Sequence, residues 1–307
     1  MKTSALIRII IYIVVAVICI SVLVIGLVSG TFKGIKGINL GGINYSMGSD
    51  EGYIAASRAD IKEKVNRINI DWISGKVTVE EYDGDTVMFW EDNNSSDPDL
   101  QMRYTFSNGV LRIRYAKSTS FNIGAFTNVI KELTVQIPRG YVLDDMKIDA
   151  VSSPVRITGT AVSTLGIDTT SGAVTVSHIV SDSVNINTVS GKIELRDAEV
   201  KDVDFDSVSG SQNFTGVCEK IHSNSVSGEV NIICTRMLKD AFIDTVSGAI
   251  AIYLPENAGF KVRWDSVSGR FNCDFPITYQ SNSATYGDGS ASIRINTVSG
   301  RMSISSI

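Results

Sequence analysis

The stretch VNINTVSGKIEL, residues 184–195, decides the fold because altered copies of it recur through most of the chain. From Ser152 to Ser268 the aligned serines follow one another at intervals of 18 to 21 residues. Such self-similarity is typical of a solenoid, in which each repeat packs on its neighbours. The other copies are INIDWISGKVTV (68–79), MKIDAVSSPVRI (146–157), LGIDTTSGAVTV (165–176), VDFDSVSGSQNF (203–214), IHSNSVSGEVNI (221–232), AFIDTVSGAIAI (241–252), VRWDSVSGRFNC (262–273) and IRINTVSGRMSI (293–304).

Apolar and polar residues alternate within each copy. Apolar residues tend to occupy the sixth and fourth positions before the serine and the third and fifth positions after it, as Ile193 and Leu195 show. Alternation of this kind, rich in Val, Ile and Thr, predicts strands with one buried face. The apolar residues stand at even-numbered positions before the serine but at odd-numbered positions after it, so a single flat strand could not bury both sets. The chain must therefore turn at the Ser-Gly pair, and glycine tolerates the backbone angles of a corner.

The length of the repeat limits the architecture. It is too short for a βαβ crossover, which needs about 30 residues, but it holds two or three short strands. Coils stacked about 4.8 Å apart would pair each strand in parallel with its copy in the next coil. The sequence therefore predicts an all-β fold, a parallel β-solenoid resembling a β-helix with about 19 residues per coil. An N-terminal hairpin cap and one preceding transmembrane helix complete the prediction.

The Ser-Gly pairs are predicted to be structural corners of the coils. A catalytic serine is usually singular, whereas the repeats contain eight of these pairs. The Ser and Thr side chains of the motif are expected to cap the same corners. The corner residues are Ser74, Gly75, Ser171, Gly172, Ser190, Gly191, Ser209, Gly210, Ser227, Gly228, Ser247, Gly248, Ser268, Gly269, Ser299 and Gly300.

Asp or Asn stands three positions before the serine in all nine copies, so stacking would form a row that we call the Asx ladder. A row of oxygen ligands could hold Ca²⁺. Alternatively, the side chains satisfy corner backbone groups and stack as amides, with the asparagines diluting like-charge repulsion. The structural interpretation is favoured. The ladder residues are Asp71, Asp149, Asp168, Asn187, Asp206, Asn224, Asp244, Asp265 and Asn296.

Residues 9–28 predict a membrane span. These twenty residues carry no charge, and a helix of that length is long enough to cross a hydrocarbon core of about 30 Å. Lys2 and Arg8 precede the span, and the positive-inside rule places residues 1–8 in the cytoplasm and the remaining chain outside. A cleaved signal peptide is the alternative, but the apolar run exceeds the usual h-region. Cys19 lies in mid-span, where an inert thiol is expected.

The remaining chain divides into three predicted segments. Residues 29–58 form a glycine-rich stalk. Residues 59–145 carry longer strands and turn-rich loops, which predict antiparallel hairpins that cap the first coil. Residues 146–307 form the solenoid repeats. The long interval before the last copy contains residues 278–292 and predicts a loop or hairpin at the C-terminal end, where binding surfaces often occur in repeat proteins.

Composition and motifs argue against several classes of function. The net charge of −5 and the absence of a basic stripe make nucleic acid a poor partner. His178 and His222 do not share a ladder position, and no P-loop, HExxH or dinucleotide fingerprint occurs. Cys218, Cys234 and Cys273 form no CxxC pair and are expected to be buried. No catalytic residue, cofactor or metal site is therefore predicted.

One enzymatic alternative stays open. Parallel β-helices can host polysaccharide cleavage with surface Asp, Arg and Lys side chains. The acidic loop with Asp92, Asp97 and Asp99 could bind a cation, although a solvated loop needs no such role.

The repeats resemble a bacterial family of β-strand-repeat proteins that are described as putative adhesins and otherwise as a domain of unknown function. The resemblance rests on the D-T/S-V-S-G motif, as at 206–210 and 244–248, and on ELTVQIPRGY (132–141), and it covers roughly residues 60 to 307. Ser153-Pro154 in place of Gly-x implies an altered corner. Gln212 at an apolar position implies a locally weaker core.

This resemblance implies a membrane-anchored extracytoplasmic protein of the bacterial cell envelope or its stress response, with no catalytic residues to assign. The predicted function is non-catalytic binding or scaffolding at the cell surface, or an accessory role in envelope stress. The N-terminal helix would anchor the protein in the membrane, and an envelope protein or glycan is the expected partner. The alternative is a carbohydrate-active β-helix enzyme that acts on envelope polysaccharide.

Overall fold

The computed structural model describes residues 44–45, 50–117, 121–122, 131–256 and 259–307. The predicted cytoplasmic segment 1–8, the membrane helix 9–28 with Cys19, and most of the stalk lie outside these residues. Among the described residues, no helix is long and apolar enough to cross a membrane. The predicted all-β, solenoid-like fold is confirmed, since the described chain is built from strands with one short 3-10 helix, Pro98–Leu100.

The described residues contain 26 strands. The first ten are β1 (Asn44–Tyr45), β2 (Ile54–Ala55), β3 (Arg58–Ile61), β4 (Arg67–Ser74), β5 (Lys76–Tyr82), β6 (Val87–Asn93), β7 (Arg103–Ser107), β8 (Val110–Arg114), β9 (Phe121–Asn122) and β10 (Lys131–Pro138). The next ten are β11 (Val142–Ser152), β12 (Val155–Thr158), β13 (Ala161–Ser171), β14 (Val174–Ser177), β15 (Val180–Ser190), β16 (Ile193–Ser209), β17 (Gln212–Ser227), β18 (Val230–Cys234), β19 (Asp240–Ser247) and β20 (Ile250–Leu254). The last six are β21 (Phe260–Ser266), β22 (Arg270–Cys273), β23 (Thr278–Gln280), β24 (Ser283–Tyr286), β25 (Ala291–Ser299) and β26 (Arg301–Ser306).

Stacking of the coils produces two parallel sheets. The front sheet contains the strands that precede the Ser-Gly corners, and the back sheet contains the strands that follow them. β16 and β17 contribute to both sheets, because each begins in the back sheet and continues into the front sheet of the next coil. The front order is β8-β4-β11-β13-β15-β16-β17-β19-β25-β21, and the back order is β10-β5-β12-β14-β16-β17-β18-β20-β26-β22.

The register stacks equivalent residues on one another. Ser171 pairs with Ser190, and Ser190 pairs with Ser209. The apolar positions that the sequence marks lie between the two sheets, where Ile193 and Leu195 are fully buried while Lys192 is exposed. At the sixth and fourth positions before the serine and the third and fifth positions after it, the inward rows repeat mostly apolar side chains, so they form apolar ladders along the solenoid.

The corners depend on glycine where adjacent coils approach closely. At Gly228 the backbone has φ +150°, and a Cβ atom there would lie 2.1 Å from the carbonyl oxygen of Gly210 in the preceding coil. The N–H of Gly228 donates to the carbonyl of Ser247 in the following coil at 3.3 Å. Any side chain would therefore force neighbouring coils apart. The altered corner at Ser153-Pro154 keeps its place in the stack, since the Pro154 carbonyl accepts from the Val77 N–H at 3.0 Å.

At the N-terminal end, the outermost coil is not the first coil in sequence. β8 lies in parallel outside β4, and β10 lies in parallel outside β5. Antiparallel strands continue both sheets beyond them, with β7 and β2 next to β8, and β6 and β3 next to β10. The long insertion between β5 and β10 thus covers the edges that the first repeat would otherwise expose.

A buried ion pair joins this end of the molecule. Lys131 is fully buried, and its Nζ lies 2.9 Å from Glu91 Oε2 while it also donates to the carbonyls of Leu100 and Tyr115. Burial lowers the pKa of Lys131 to about 8, although the Glu91 carboxylate opposes that shift. Because one carboxylate and two carbonyls surround the ammonium, the ion pair can persist in the core.

At the C-terminal end, the order of the coils is again inverted relative to the sequence. β25 and β26, the last strands in the chain, pair with β19 and β20. The earlier strands β21 and β22 lie outside them, and the β23–β24 hairpin pairs with β21. The long interval before the last repeat therefore carries the chain out to the end of the solenoid and back by one level.

Gln212, which departs from the apolar pattern, has a partner that repeat alignment alone does not suggest. Its side chain is buried at an inward position, as is Ser223, which also replaces an apolar residue. Ser223 Oγ donates to Gln212 Oε1, and Gln212 Nε2 donates to the Asn224 carbonyl at 2.8 Å. The two polar substitutions offset each other, so the local weakness expected from Gln212 alone does not follow from this arrangement.

Ser223→Ala should destabilise the protein by about 1 to 2 kcal/mol, because it leaves the Gln212 amide oxygen buried without its donor. Changing both residues, Ser223→Val with Gln212→Leu, should recover most of the loss, since neither polar group then remains in the core. Chemical denaturation of Ser223→Val, Gln212→Leu and the double variant measures the coupling energy. Strictly additive effects would show that the pair is not coupled.

Candidate functional site

The outward face of the front sheet carries three parallel rows of side chains. The Asx ladder occupies the third position before each serine. A middle row occupies the fifth position and an outer row the seventh, because alternate residues of a strand share one face. In spatial order the middle row is Arg112, Asn69, Lys147, Gly166, Asn185, Asp204, His222, Phe242, Arg294 and Arg263.

The structure places all nine Asx residues in one continuous row. The order along it is Asp71, Asp149, Asp168, Asn187, Asp206, Asn224, Asp244, Asn296 and Asp265. From Asp168 onward, Asp and Asn alternate strictly. This alternation depends on the inverted coil order, which inserts Asn296 between Asp244 and Asp265.

Amide–carboxylate hydrogen bonds connect the alternating part of the ladder. The Nδ2 atoms of Asn187, Asn224 and Asn296 donate to the Oδ1 atoms of Asp168, Asp206 and Asp244 at 2.7, 2.7 and 2.6 Å. The ladder therefore bonds to itself rather than to the corner backbone. Threonine hydroxyls serve the corners instead, since those of Thr245 and Thr297 donate to the carbonyls of Ser247 and Ser299 at 3.3 and 3.2 Å.

Three aspartates follow one another at the N-terminal end of the ladder, and cations compensate them. Arg114 of β8 occupies the ladder position next to Asp71, with Nε 3.6 Å from Asp71 Oδ2. Lys147 Nζ lies 3.1 Å from Asp149 Oδ1 and 3.7 Å from Asp168 Oδ2. Burial raises the pKa of Asp149 to about 6, since the effect of Lys147 does not outweigh burial and the neighbouring carboxylates.

The calcium interpretation of the ladder has no support in the described residues, which contain no cluster of three or more His, Cys, Asp or Glu side chains suited to a metal. Each ladder asparagine presents a hydrogen-bond donor to its neighbouring aspartate, and that donor occupies an oxygen that a cation would need. The ladder thus acts as a hydrogen-bonded spine of the sheet.

An open groove of about 470 Å³ lies on the front sheet, where the middle and outer rows cross the five neighbouring strands β15, β16, β17, β19 and β25. Asn185, Asp204, His222, Phe242 and Arg294 of the middle row follow one another along its length. The side chains at its aromatic end are in contact. The His222 and Phe242 ring centroids are 5.0 Å apart, and the Arg294 guanidinium lies 5.1 Å from the Phe242 ring centroid.

Charges in the groove are paired across neighbouring coils. His222 Nδ1 lies 3.7 Å from Asp204 Oδ1, and Lys220 Nζ lies 3.5 Å from Asp202 Oδ1. Arg294 Nη2 lies 3.3 Å from Asp240 Oδ2. Burial, followed by the charge of Asp206, raises the pKa of Asp204, while His222 lowers it. The groove therefore presents polar groups of both signs without a strong excess of either.

Other residues singled out from the sequence lie away from this groove. His178 pairs with Asp197 at 3.7 Å on the exposed surface, in a different part of the coil from His222. In the acidic loop, Asp97 Oδ1 accepts from the Asp99 N–H at 2.9 Å, and Lys117 pairs with Asp99 at 3.2 Å. These contacts give the carboxylates of Asp97 and Asp99 structural roles.

The three described cysteines are free thiols. Cys218 and Cys234 are buried with their sulfurs 4.0 Å apart, and the contact with Cys234 together with burial raises the pKa of Cys218. Cys273 is only partly buried, which corrects the expectation that all three are buried. It lies in the outermost coil, where one side of the core has no further coil against it.

Sequence reasoning identified the Asx ladder but missed the middle row. Its members share no residue type, so alignment of the repeats shows only a variable position. That lack of repetition was the available signal, because the structural pattern does not require one residue type at this outward position. Arg114 was missed for another reason, because the segment LRIRYA lacks the Ser-Gly pair.

One family model and several solved structures match this chain. The family model described as Toastrack DUF4097 matches residues 65–305. Among solved structures, one named as a putative adhesin from Bacteroides fragilis is 14% identical, with a TM-score of 0.44, and the match covers 84% of this chain and 98% of that one. Another putative adhesin, from Parabacteroides distasonis, is 15% identical with a TM-score of 0.45 and coverages of 84% and 99%. A putative cell adhesion protein from Clostridium sporogenes is 13% identical with a TM-score of 0.32 and coverages of 81% and 99%. A search of curated proteins found no match.

Asp149→Asn should stabilise the protein at neutral pH by about 1 kcal/mol, because it extends the Asp/Asn alternation and removes a carboxylate that is costly to ionise. In the folded state the pKa of Asp149 is raised from 3.8 to about 6. Protonated Asp149 makes its full contribution to the free energy of unfolding below pH 3.8, and this contribution is lost as the pH rises through about 6. The gain in free energy of unfolding of Asp149→Asn over the wild type should therefore be larger at pH 7.5 than at pH 4.5, because the pKa of about 6 lies between these two values. Urea denaturation at both pH values measures this difference.

Asp265→Asn is the matched control, since Asp265 is exposed at the far end of the same ladder. It should change the free energy of unfolding by no more than about 0.5 kcal/mol. A loss of stability in Asp149→Asn at pH 7 would mean that the ion pair with Lys147 outweighs repulsion and burial.

Proposed function

Because this chain belongs to the Toastrack DUF4097 family, we propose that it is a membrane-anchored extracytoplasmic protein that binds or scaffolds at the bacterial cell surface without catalysis. An accessory part in sensing envelope stress is compatible with the same role. The proposed organisation has a cytoplasmic segment 1–8, a membrane helix 9–28, a stalk 29–58 and a β-rich cap 59–145. The solenoid 146–307 has coils of about 19 residues and extends from the cap.

The observation that supports binding is the groove on the front sheet. Its side chains come from five successive levels of hydrogen-bonded strands, so they are held on a rigid surface. Rigid positioning lowers the entropy cost of holding a ligand. An extended ligand that runs along the solenoid axis would contact one middle-row residue per coil.

The chemistry of the groove favours a neutral, hydroxyl-rich ligand, and we assign it to a glycan of the envelope. Asp240 already has a cationic partner in Arg294, and Asp204 lies beside the His222 ring, so an anionic ligand would have to break the Arg294–Asp240 ion pair to bind Arg294. Hydroxyl groups can donate to the carboxylates and accept from Lys220 and Arg294 without separating these pairs. Asn185 supplies a further donor and acceptor beside them.

Polysaccharide cleavage has less support. Cleavage requires a general acid and a second carboxylate or base on opposite sides of one bond. In the acidic loop, Asp97 caps the 3-10 helix and Asp99 pairs with Lys117. The carboxylates of the groove lie on one face of the sheet, with Asp204 in the middle row and Asp202 and Asp240 in the outer row, and each stands beside a basic side chain. This arrangement suits holding a polymer rather than cutting it.

Binding to envelope polysaccharides tests the ligand. The full-length protein should retain purified neutral polysaccharide more strongly than anionic polymer in a pull-down, and Phe242→Ala should weaken retention by about tenfold, because the ring supports both His222 and Arg294. Tyr253→Ala is the control, since Tyr253 is a half-buried aromatic residue in the back sheet. Equal retention by both variants would exclude the groove as the binding surface.

Protease accessibility tests the location. With a tag at the C-terminus, protease added to intact cells should remove the tag, because the solenoid is proposed to lie outside the membrane. Inside-out vesicles should protect it. The reverse result would place the solenoid in the cytoplasm and remove envelope glycans as ligands.

A further inference from the structure

The two sheets end unevenly at the C-terminal end of the solenoid. The front sheet continues beyond β21 through β24 and β23. In the part of the chain that the structure describes, the back sheet ends at β22, whose pairing is with β26 alone. The level opposite β24 therefore has a strand in the front sheet and an empty place in the back sheet.

The backbone of β22 is oriented to accept a strand in that place. The N–H groups of Arg270 and Asp274 donate inward, to the carbonyls of Gly300 at 3.2 Å and Ile304 at 3.0 Å. Successive residues of a strand direct their backbone groups to opposite sides, so the N–H and C=O of Phe271 and Cys273 point to the free edge. This edge can form paired hydrogen bonds at two residues.

The core below the empty place is incompletely covered. In the last coil, Trp264 and Phe271 stack with ring centroids 4.1 Å apart and planes at 15°, and both are only partly buried. Their counterparts one coil further in, Ile295 and Met302, are fully buried. Tyr279 of the hairpin lies edge-on to Trp264 and is 60% exposed. Apolar side chains of an added strand would complete this layer.

The outward face of β22 adds a charge pattern. Arg270 and Asp274 are exposed, with the exposed Asn272 between them, and neither charge belongs to an ion pair found among the described residues. Opposite charges on an added strand would pair with them. The same charges disfavour strands that lack the pattern, which limits unspecific pairing at this short edge.

We infer that the C-terminal end of the solenoid binds one extended peptide segment of a partner protein, added antiparallel to β22. Antiparallel pairing gives the more stable ladder per residue. Read from its N-terminus, the segment has a basic residue opposite Asp274, apolar residues opposite Cys273 and Phe271, a polar residue opposite Asn272 and an acidic residue opposite Arg270. A single strand is favoured over a second copy of this chain. If a second solenoid paired with β22, its own β21 would have to occupy the place in the front sheet where β24 already lies. This end is a second binding surface, separate from the groove.

A designed peptide with the core Lys-Ile-Thr-Ile-Glu tests the inference by fluorescence anisotropy with the purified full-length chain. The charge-reversed core Glu-Ile-Thr-Ile-Lys should bind about tenfold more weakly. A peptide N-methylated at both isoleucines should also lose about tenfold, because those N–H groups would donate to β22. The chain with Arg270→Glu and Asp274→Lys should reverse the preference between the first two peptides.

Cys273→Pro removes one N–H from the free edge while proline remains tolerated there, and Cys273→Ala is the matched control. The proline variant should weaken binding by about tenfold and the alanine variant should not. Circular dichroism checks the fold of each variant, and the N-methylated peptide tests the edge without any change in the protein. The inference is overturned if no peptide binds, if N-methylation has no effect, or if the wild-type chain prefers the reversed core.

Discussion

The structure depends on one constraint, which is that every coil hydrogen-bonds in register to the coils on either side. Strands about 4.8 Å apart place equivalent residues directly over one another. For apolar side chains this repetition is favourable, because Val, Ile and Leu pack well on copies of themselves. For charged side chains it is unfavourable, because each row on the surface would stack like charges at close range. The inward rows therefore repeat freely, whereas each outward row needs a way to relieve repulsion.

The Asx ladder shows two ways of meeting this constraint. In its C-terminal part, amide and carboxylate side chains alternate, so each charge has neutral donors beside it. At its N-terminal end three aspartates are consecutive, and Arg114 and Lys147 supply the compensation instead. The alternation is not written in the chain order, since Asp244 and Asp265 are consecutive members in sequence and only the inverted coil order places Asn296 between them. Coil order and charge pattern thus have to agree.

This dependence explains how far the sequence could predict the molecule. The period, the inward positions and the place of the Ser-Gly corners follow from local patterns that every repeat carries. The inverted ends do not, because they depend on which coils become neighbours, and a pattern shared by all repeats cannot distinguish one neighbour from another. The Gln212–Ser223 pair is of the same kind, since each residue alone looks like a defect and only their proximity across the core makes them a hydrogen-bonded pair. The groove was missed because its residues share no motif.

The position of the groove follows from the same constraint. A solenoid position that must be buried or must turn keeps a similar residue in most coils, so most of the variation lies in outward rows. Stacking then converts residues that are far apart in sequence into neighbours. Phe242 and Arg294 are adjacent across β19 and β25 although they are 52 positions apart in the sequence. A binding surface on this fold is therefore assembled from one residue per coil, at positions where the repeat imposes no residue type. Searching such a protein for a contiguous motif would find its corners, whereas comparing each outward row for loss of repetition would find its candidate binding surface.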